Sequence, residues 1–215
     1  MVYAFLIHTV QPGTCRVIYS TTFGQEAIEL DRVETIISTG STDTQGLAVS
    51  QARSSPIGHE LRTVRKEQLQ IVAKQVQSEF SFRRAVSGRS YEDEMQILGS
   101  DETALPFEKG VLRLRAGDPF VEERIVVWEA SVNCAFALVC SRHENRIQAE
   151  TVLTTVIRYL QEYVRVISQP TEAMTKADKV TTILHQFLPN GQILFMNHRL
   201  LKQLEKGMEL LMSGK

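Results

Sequence analysis

The segment Cys134 to Cys140 contains no charged side chain in either register of a strand: Cys134, Phe136, Leu138 and Cys140 fall on one face, and Ala135, Ala137 and Val139 on the other. A strand alternates its side chains between two faces, so one that is apolar on both must be covered on both. Val2 to Ile7 has the same character. Two such strands place a sheet between two layers of helix, with these strands at its centre.

The remaining elements agree with that arrangement. Residues Val2 to Phe23 read as a hairpin, with a turn at Gln11-Pro12-Gly13-Thr14 and a second strand at Cys15 to Tyr19. Pro12 pre-sets φ near −65° and Gly13 accepts positive φ, as a type II turn requires. Val111 to Arg115 alternates Leu112 and Leu114 with Arg113 and Arg115, the pattern of an edge strand wetted on one side. Arg124 to Ala130 follows, and a turn near Val132-Asn133 leads into Cys134 to Cys140. From Glu60 the period becomes helical: Leu61, Val64, Leu69, Val72, Val76 and Phe80 make one stripe that ends before Gly88.

A second stripe, Ala149, Leu153, Val156, Leu160, Val164 and Ile167, ends near Gln169-Pro170, and a third holds Val180, Ile183, Leu184 and Phe187. Thr175 with Asp178 reads as the third helix's cap, and Asn190-Gly191 as its stop. Ile193 to Met196 then leads to a last helix at about 198–212, marked by Leu200, Leu201, Leu204, Met208 and Leu211. Polar stretches at about 25–58 and 88–109 read as variable loops. The expectation is one α+β domain over 1–215, with a five-stranded, mostly antiparallel sheet in the order ββαβββαα, helices on both faces and an extra C-terminal helix.

Composition excludes more than it identifies. A formal net charge of −1, with 23% charged and 43% hydrophobic residues, offers no strong field for nucleic acid or an acidic membrane. Cys15, Cys134 and Cys140 are odd in number and lack Cys-x-x-Cys spacing, so they read as buried thiols of a reducing compartment. No basic leader precedes the first apolar run, and no stretch approaches the roughly 18 apolar residues of a membrane span, so a cytosolic chain that meets membranes through partners is expected.

The search for chemistry is negative. His59-Glu60 and His143-Glu144 lack the second histidine of a zinc helix, the positions holding Thr63 and Ile147 instead. Neither a Gly-x-Ser-x-Gly elbow nor a phosphate loop occurs, and the carboxylate pairs Asp93-Glu94 and Glu122-Glu123 sit in polar loops without a pocket to shift a pKa. No catalytic, cofactor-binding or metal-binding residue is assigned, and no enzyme is expected. The first long helix carries Arg62, Arg65, Lys66, Lys74, Arg83 and Arg84 against Glu60, Glu67 and Glu79. Interleaved charges of this kind read as a solvated face, with contact to an anionic membrane or an acidic partner as the alternative.

Several stretches resemble one family in order along the chain: Ala4-Phe5-Leu6-Ile7-His8-Thr9, Cys15-Arg16-Val17-Ile18-Tyr19-Ser20, Arg65-Lys66-Glu67-Gln68, Val126-Val127-Trp128, Phe136-Ala137-Leu138-Val139, His143-Glu144-Asn145, Phe187-Leu188-Pro189-Asn190-Gly191-Gln192 and Leu204-Glu205-Lys206. Together they resemble the sigma (small) subunit of the fifth adaptor-protein complex, within the longin-like adaptor small subunits. The resemblance implies a longin-like sandwich and a non-enzymatic subunit of a heterotetrameric adaptor in endosomal vesicle transport. Two large subunits and one medium subunit are the implied partners, with spatacsin and spastizin beyond them, and the implied location is late endosomes and lysosomes. Leu200, Leu201 and Leu204 are the candidate partner interface, unless they only complete the domain's own core. The rival reading is a free-standing longin-type regulatory or tethering module.

Overall fold

The computed structural model describes residues 1–23, 56–88 and 107–212, the side chains of 56–61 excepted. Five strands, β1 (Val2–Thr9), β2 (Val17–Thr22), β3 (Glu108–Leu114), β4 (Arg124–Ala130) and β5 (Cys134–Ser141), form one sheet in the spatial order β2-β1-β5-β4-β3. Every neighbouring pair is antiparallel, so the sheet is wholly rather than mostly so. The helices are α1 (Pro56–Ser87), α2 (Arg146–Val164), a single turn α3 (Glu172–Thr175), α4 (Ala177–Phe187) and α5 (His198–Met212), with a 3-10 turn at Pro189–Gly191. This is the α+β sandwich expected of a longin-like chain. The polar stretches at about 25–58 and 88–109 lie largely outside the described residues, and their margins are structured: Pro56 opens α1, where its missing N–H costs nothing, and β3 begins at Glu108.

β5 is the middle strand and β1 its neighbour, and both are buried along their lengths. Their two faces feed two separate cores. Phe5, Ile7, Val127, Phe136 and Leu138 face α2 and α4, joined by Leu153, Leu160, Ile183 and Phe187. Ala4, Leu6, Val126, Trp128, Ala137 and Val139 face α1, which contributes Leu69, Val72, Ala73, Val76 and Phe80. Small residues of β5 thus lie under α1 and large ones under α2. Trp128 accounts for most of the bulk on the α1 side: it is fully buried, meets Phe80 edge-on at 6.4 Å between ring centroids, and lies across Gly110, its register partner on β3. A Cβ at Gly110 would fall 2.5 Å from the indole, so only glycine fits.

α1 is fastened at the sheet's rim by polar side chains as well as by its apolar stripe. Gln70 Nε2 donates to the Cys15 carbonyl (2.8 Å) and Gln77 Nε2 to that of Gln11 (2.7 Å), both on the β1–β2 hairpin. On the opposite side Gln68 Nε2 donates to the Pro119 carbonyl (2.9 Å) and Arg83 Nη1 to that of Lys109 (2.5 Å). The buried carboxylate Glu129 of β4 ties the other layer to the sheet: it accepts from Lys109 Nζ (3.1 Å) and from Thr154 of α2.

The helix ends follow local chemistry. Asn145 Oδ1 accepts from Gln148 N (3.2 Å) to cap α2, and Asn197 Oδ1 from Leu200 N (2.8 Å) at the start of α5. Thr175 does not cap α4 as its spacing suggests. Its hydroxyl donates instead to the Glu172 carbonyl of α3 (3.1 Å), and the residue before α4 is Lys176. α4 ends at Phe187 with Leu188 as its C-cap, just before the stop the sequence suggests at Asn190-Gly191; those two residues, with φ of 51° and 74°, lie in the 3-10 turn that follows.

Two expected outcomes test this packing. Gly191 and Gly117 both have positive φ, but a Cβ on Gly191 would lie 2.5 Å from Phe23 Cβ and the Val2 carbonyl oxygen, whereas Gly117 has open space. In urea unfolding, Gly117→Ala should lose about 1 kcal/mol from backbone strain alone, and Gly191→Ala about 3 kcal/mol or more. Equal losses would refute the steric account. His8 is fully buried on the α1 side, its Nδ1 donating to the Thr9 carbonyl (3.0 Å) and its Nε2 without a protein partner among the described residues. Burial lowers its pKa from 6.5 to about 4, partly offset by the Thr9 bond. The unfolded chain therefore takes up a proton before the folded one, and stability falls by about 3 kcal/mol as pH drops from 6.5 towards 4. Replacing His8 with Leu should flatten that part of the pH–stability curve, and an unchanged slope would remove His8 as its cause.

Candidate docking surface

Surplus apolar surface, rather than reactive chemistry, is what the described residues offer. Among them no group of three or more His, Cys, Asp or Glu is disposed to hold a metal. All three cysteines are free and buried, and burial drives the Cys134 and Cys140 thiols up to about 12, away from the nucleophilic thiolate. Cys15 is likewise raised by burial. No helix among the described residues is long and apolar enough to cross a membrane.

The final helix is built to lie on the helical layer and to show part of itself outside. After the 3-10 turn, Ile193 and Met196 pack against the core shared with α2 and α4, bringing the chain to the Asn197 cap. On α5, Met208 is fully buried, and Leu201, Leu204 and Met212 are partly buried against the same core. Gly207 lets the helix approach α4: its Cβ position lies 2.9 Å from Gln186 Nε2. A polar clasp holds the helix to α2. The Tyr159 hydroxyl donates to Glu205 Oε1 (2.6 Å), and Arg158 Nη2 donates to that hydroxyl (2.9 Å) and to Glu205 (3.3 Å). Burial, then the Glu205 carboxylate, pushes the Tyr159 phenol up to about 12, so the clasp keeps its proton throughout the neutral range. Tyr159 also stacks on Phe187 of α4 at 4.6 Å.

The three leucines singled out by sequence therefore divide. Leu201 and Leu204 pack against the core, while Leu200, also half-buried, does not join that cluster. The side chains that project furthest are others: Phe195, 69% exposed, in the extended approach to α5, and Leu210 (66%) and Leu211 (58%) in its last turn. Leu211 continues the line of Leu200 and Leu204 at helical spacing, which the sequence shows. Phe195 lies in an irregular segment where periodicity gives no orientation, and Gly207 and Lys206 occupy the positions three and four before Leu210, so the apolar spacing does not single it out. Along this helix the chain combines inward leucines that fix its position with outward ones available to a partner.

Comparison with known proteins places this arrangement in a family. The family model described as AP-5 complex subunit sigma-1 matches residues 1–209. The human protein named AP-5 complex subunit sigma-1 is 37% identical over 215 residues, covering 96% of both chains. The mouse protein of the same name is 32% identical over 178 residues, covering 78% of this chain and 91% of its own. The apolar-centred sheet, the terminal helix with outward leucines and the match along almost the whole sequence agree, and the chain belongs to the AP-5 complex subunit sigma-1 family.

Proposed function

We propose that this chain is a non-enzymatic small subunit of a heterotetrameric adaptor complex, acting in endosomal vesicle-mediated protein transport. Its partners on this reading are two large subunits and one medium subunit, with spatacsin and spastizin beyond them, and the assembly works from the cytosol on late endosomes and lysosomes. Membership of the family supports the subunit role. The observation that carries the mechanism is the row of apolar side chains left outward along α5 and its approach.

A scaffold subunit needs a rigid body and a patch that loses water on docking, and both are accounted for by the packing described above. The interface on this reading includes Leu200, Leu201 and Leu204. Leu200 and Leu211 supply contact directly, while Leu201 and Leu204 hold the helix in register by packing inward. Burial of outward leucines at about 25 cal/mol per Å² is the driving term, and cytosolic recruitment follows from the complex rather than from a membrane span.

Co-purification of the large subunit with the tagged chain tests the proposal. Leu200→Asp combined with Leu211→Asp should reduce recovery at least 30-fold, a loss of about 2 kcal/mol, while the melting temperature stays close to that of the parent. Leu201→Asp should instead lower the melting temperature, because it charges a side chain packed on the core. Undiminished recovery of the large subunit with the double variant would defeat the interface.

A further inference from the structure

The long helices α1 and α2 both start at the same end of the sheet. Arg65 Nη1 donates to Thr22 Oγ1 (3.0 Å) at the end of β2, and Gln68 reaches the Pro119 carbonyl in the β3–β4 loop, so the N-terminal part of α1 lies there. Leu114, Arg124 and Ser141 are register neighbours at that end, and α2 begins a few residues after Ser141. The segments that meet there, 62–67, 113–124 and 142–147, hold eight Lys and Arg against five Asp and Glu, in a chain whose formal net charge is −1. Two of the five acids are half-buried and already engaged. Glu123 lies between Arg113 and Arg142 (3.1 Å to the latter), and Glu144 is 17% exposed in its side chain. Lys66, Arg115 and Arg146 are exposed in these segments, as are the acids Glu67, Asp118 and Glu122, and the N-terminus of α2 adds partial positive charge beside Arg146.

This end is apolar as well as basic. Val121, in the β3–β4 loop, is 89% exposed, and Ile147, in the first turn of α2, is 76% exposed. A net excess of basic side chains beside projecting aliphatic ones complements a bilayer with anionic headgroups: each Lys or Arg near such a surface contributes about 1 kcal/mol, and the aliphatic tips enter the headgroup layer. We infer that the sheet end carrying Lys66, Arg115, Arg146, Val121 and Ile147 docks on the surface of an anionic phospholipid membrane. This contact is direct, and adds to whatever recruitment the adaptor assembly provides. It turns the excess charge of α1, ambiguous in sequence, into one part of a patch assembled from three segments.

Flotation of the full chain with vesicles of phosphatidylcholine, alone or mixed with phosphatidylserine, tests the inference. The chain should float with the mixed vesicles, leave the neutral ones behind, and lose binding as salt is raised. Lys66→Glu, Arg115→Glu and Arg146→Glu together should weaken binding at least about tenfold. A control with the same charge change, Lys179→Glu, Lys202→Glu and Lys206→Glu on α4 and α5, should bind as the parent does. Val121→Ser with Ile147→Ser should weaken binding without altering its salt dependence. Equal flotation with both vesicle types, or equal losses in the two charge-reversed variants, would overturn the inference. Capture by immobilised polyglutamate without vesicle binding would overturn it too, in favour of an acidic protein partner.

Discussion

The architecture depends on a single constraint: β5 cannot be wetted on either face. Seven consecutive residues without charge have to be enclosed, and enclosure needs a helical layer above and another below. Their sizes then assign the layers. Ala135, Ala137 and Val139 leave room for Trp128 and for the close approach of α1, whereas Phe136 and Leu138 fill the wider space under α2 and α4. Gly110 belongs to the same solution, since the indole that fills the α1 side occupies the volume where any side chain of β3 would start. A change in the size pattern of one strand would therefore be felt in both layers.

Apolar burial does not fix the direction or register of α1, because its stripe could slide along a flat apolar face. The glutamine and arginine bonds to backbone carbonyls do fix it, reaching the first hairpin on one side and the β3–β4 region on the other. Each satisfies a carbonyl that the sheet ladder leaves free at its margins, so the bonds add specificity more than net stability. The fastening carries a functional consequence too: it holds the beginning of α1 beside the loops that follow β3 and β5.

Much of the fold was legible because two strong periodicities dominate the chain. The apolar strands predicted the sheet's interior, and the 3.6-residue stripes predicted α1, α2, α4 and α5, each within a few residues. Where reading failed, a side chain had two possible backbone partners. Thr175 could cap the following helix or close the preceding turn, and only three-dimensional placement decides for the turn. The docking leucines were half legible. Sequence identifies the helix, but whether Leu201 faces in or Leu211 faces out depends on how α5 settles against α4, which rests on Gly207 and the Tyr159–Glu205 clasp. The basic end of the sheet was legible only in its α1 part, as an ambiguous excess of charge, since its three segments are far apart in the chain.

Of the fifteen residues of α5, Met208 alone is fully buried, and the clasp to Tyr159 is the principal polar bond holding it to α2. Local opening of such an element costs far less than global unfolding, so its amides exchange with solvent well before those of β5. The helix that carries the outward leucines is thus loosely held against the sandwich. A bound partner that closes over it converts a fraying end into an integral layer, and part of the binding free energy is spent on suppressing that motion.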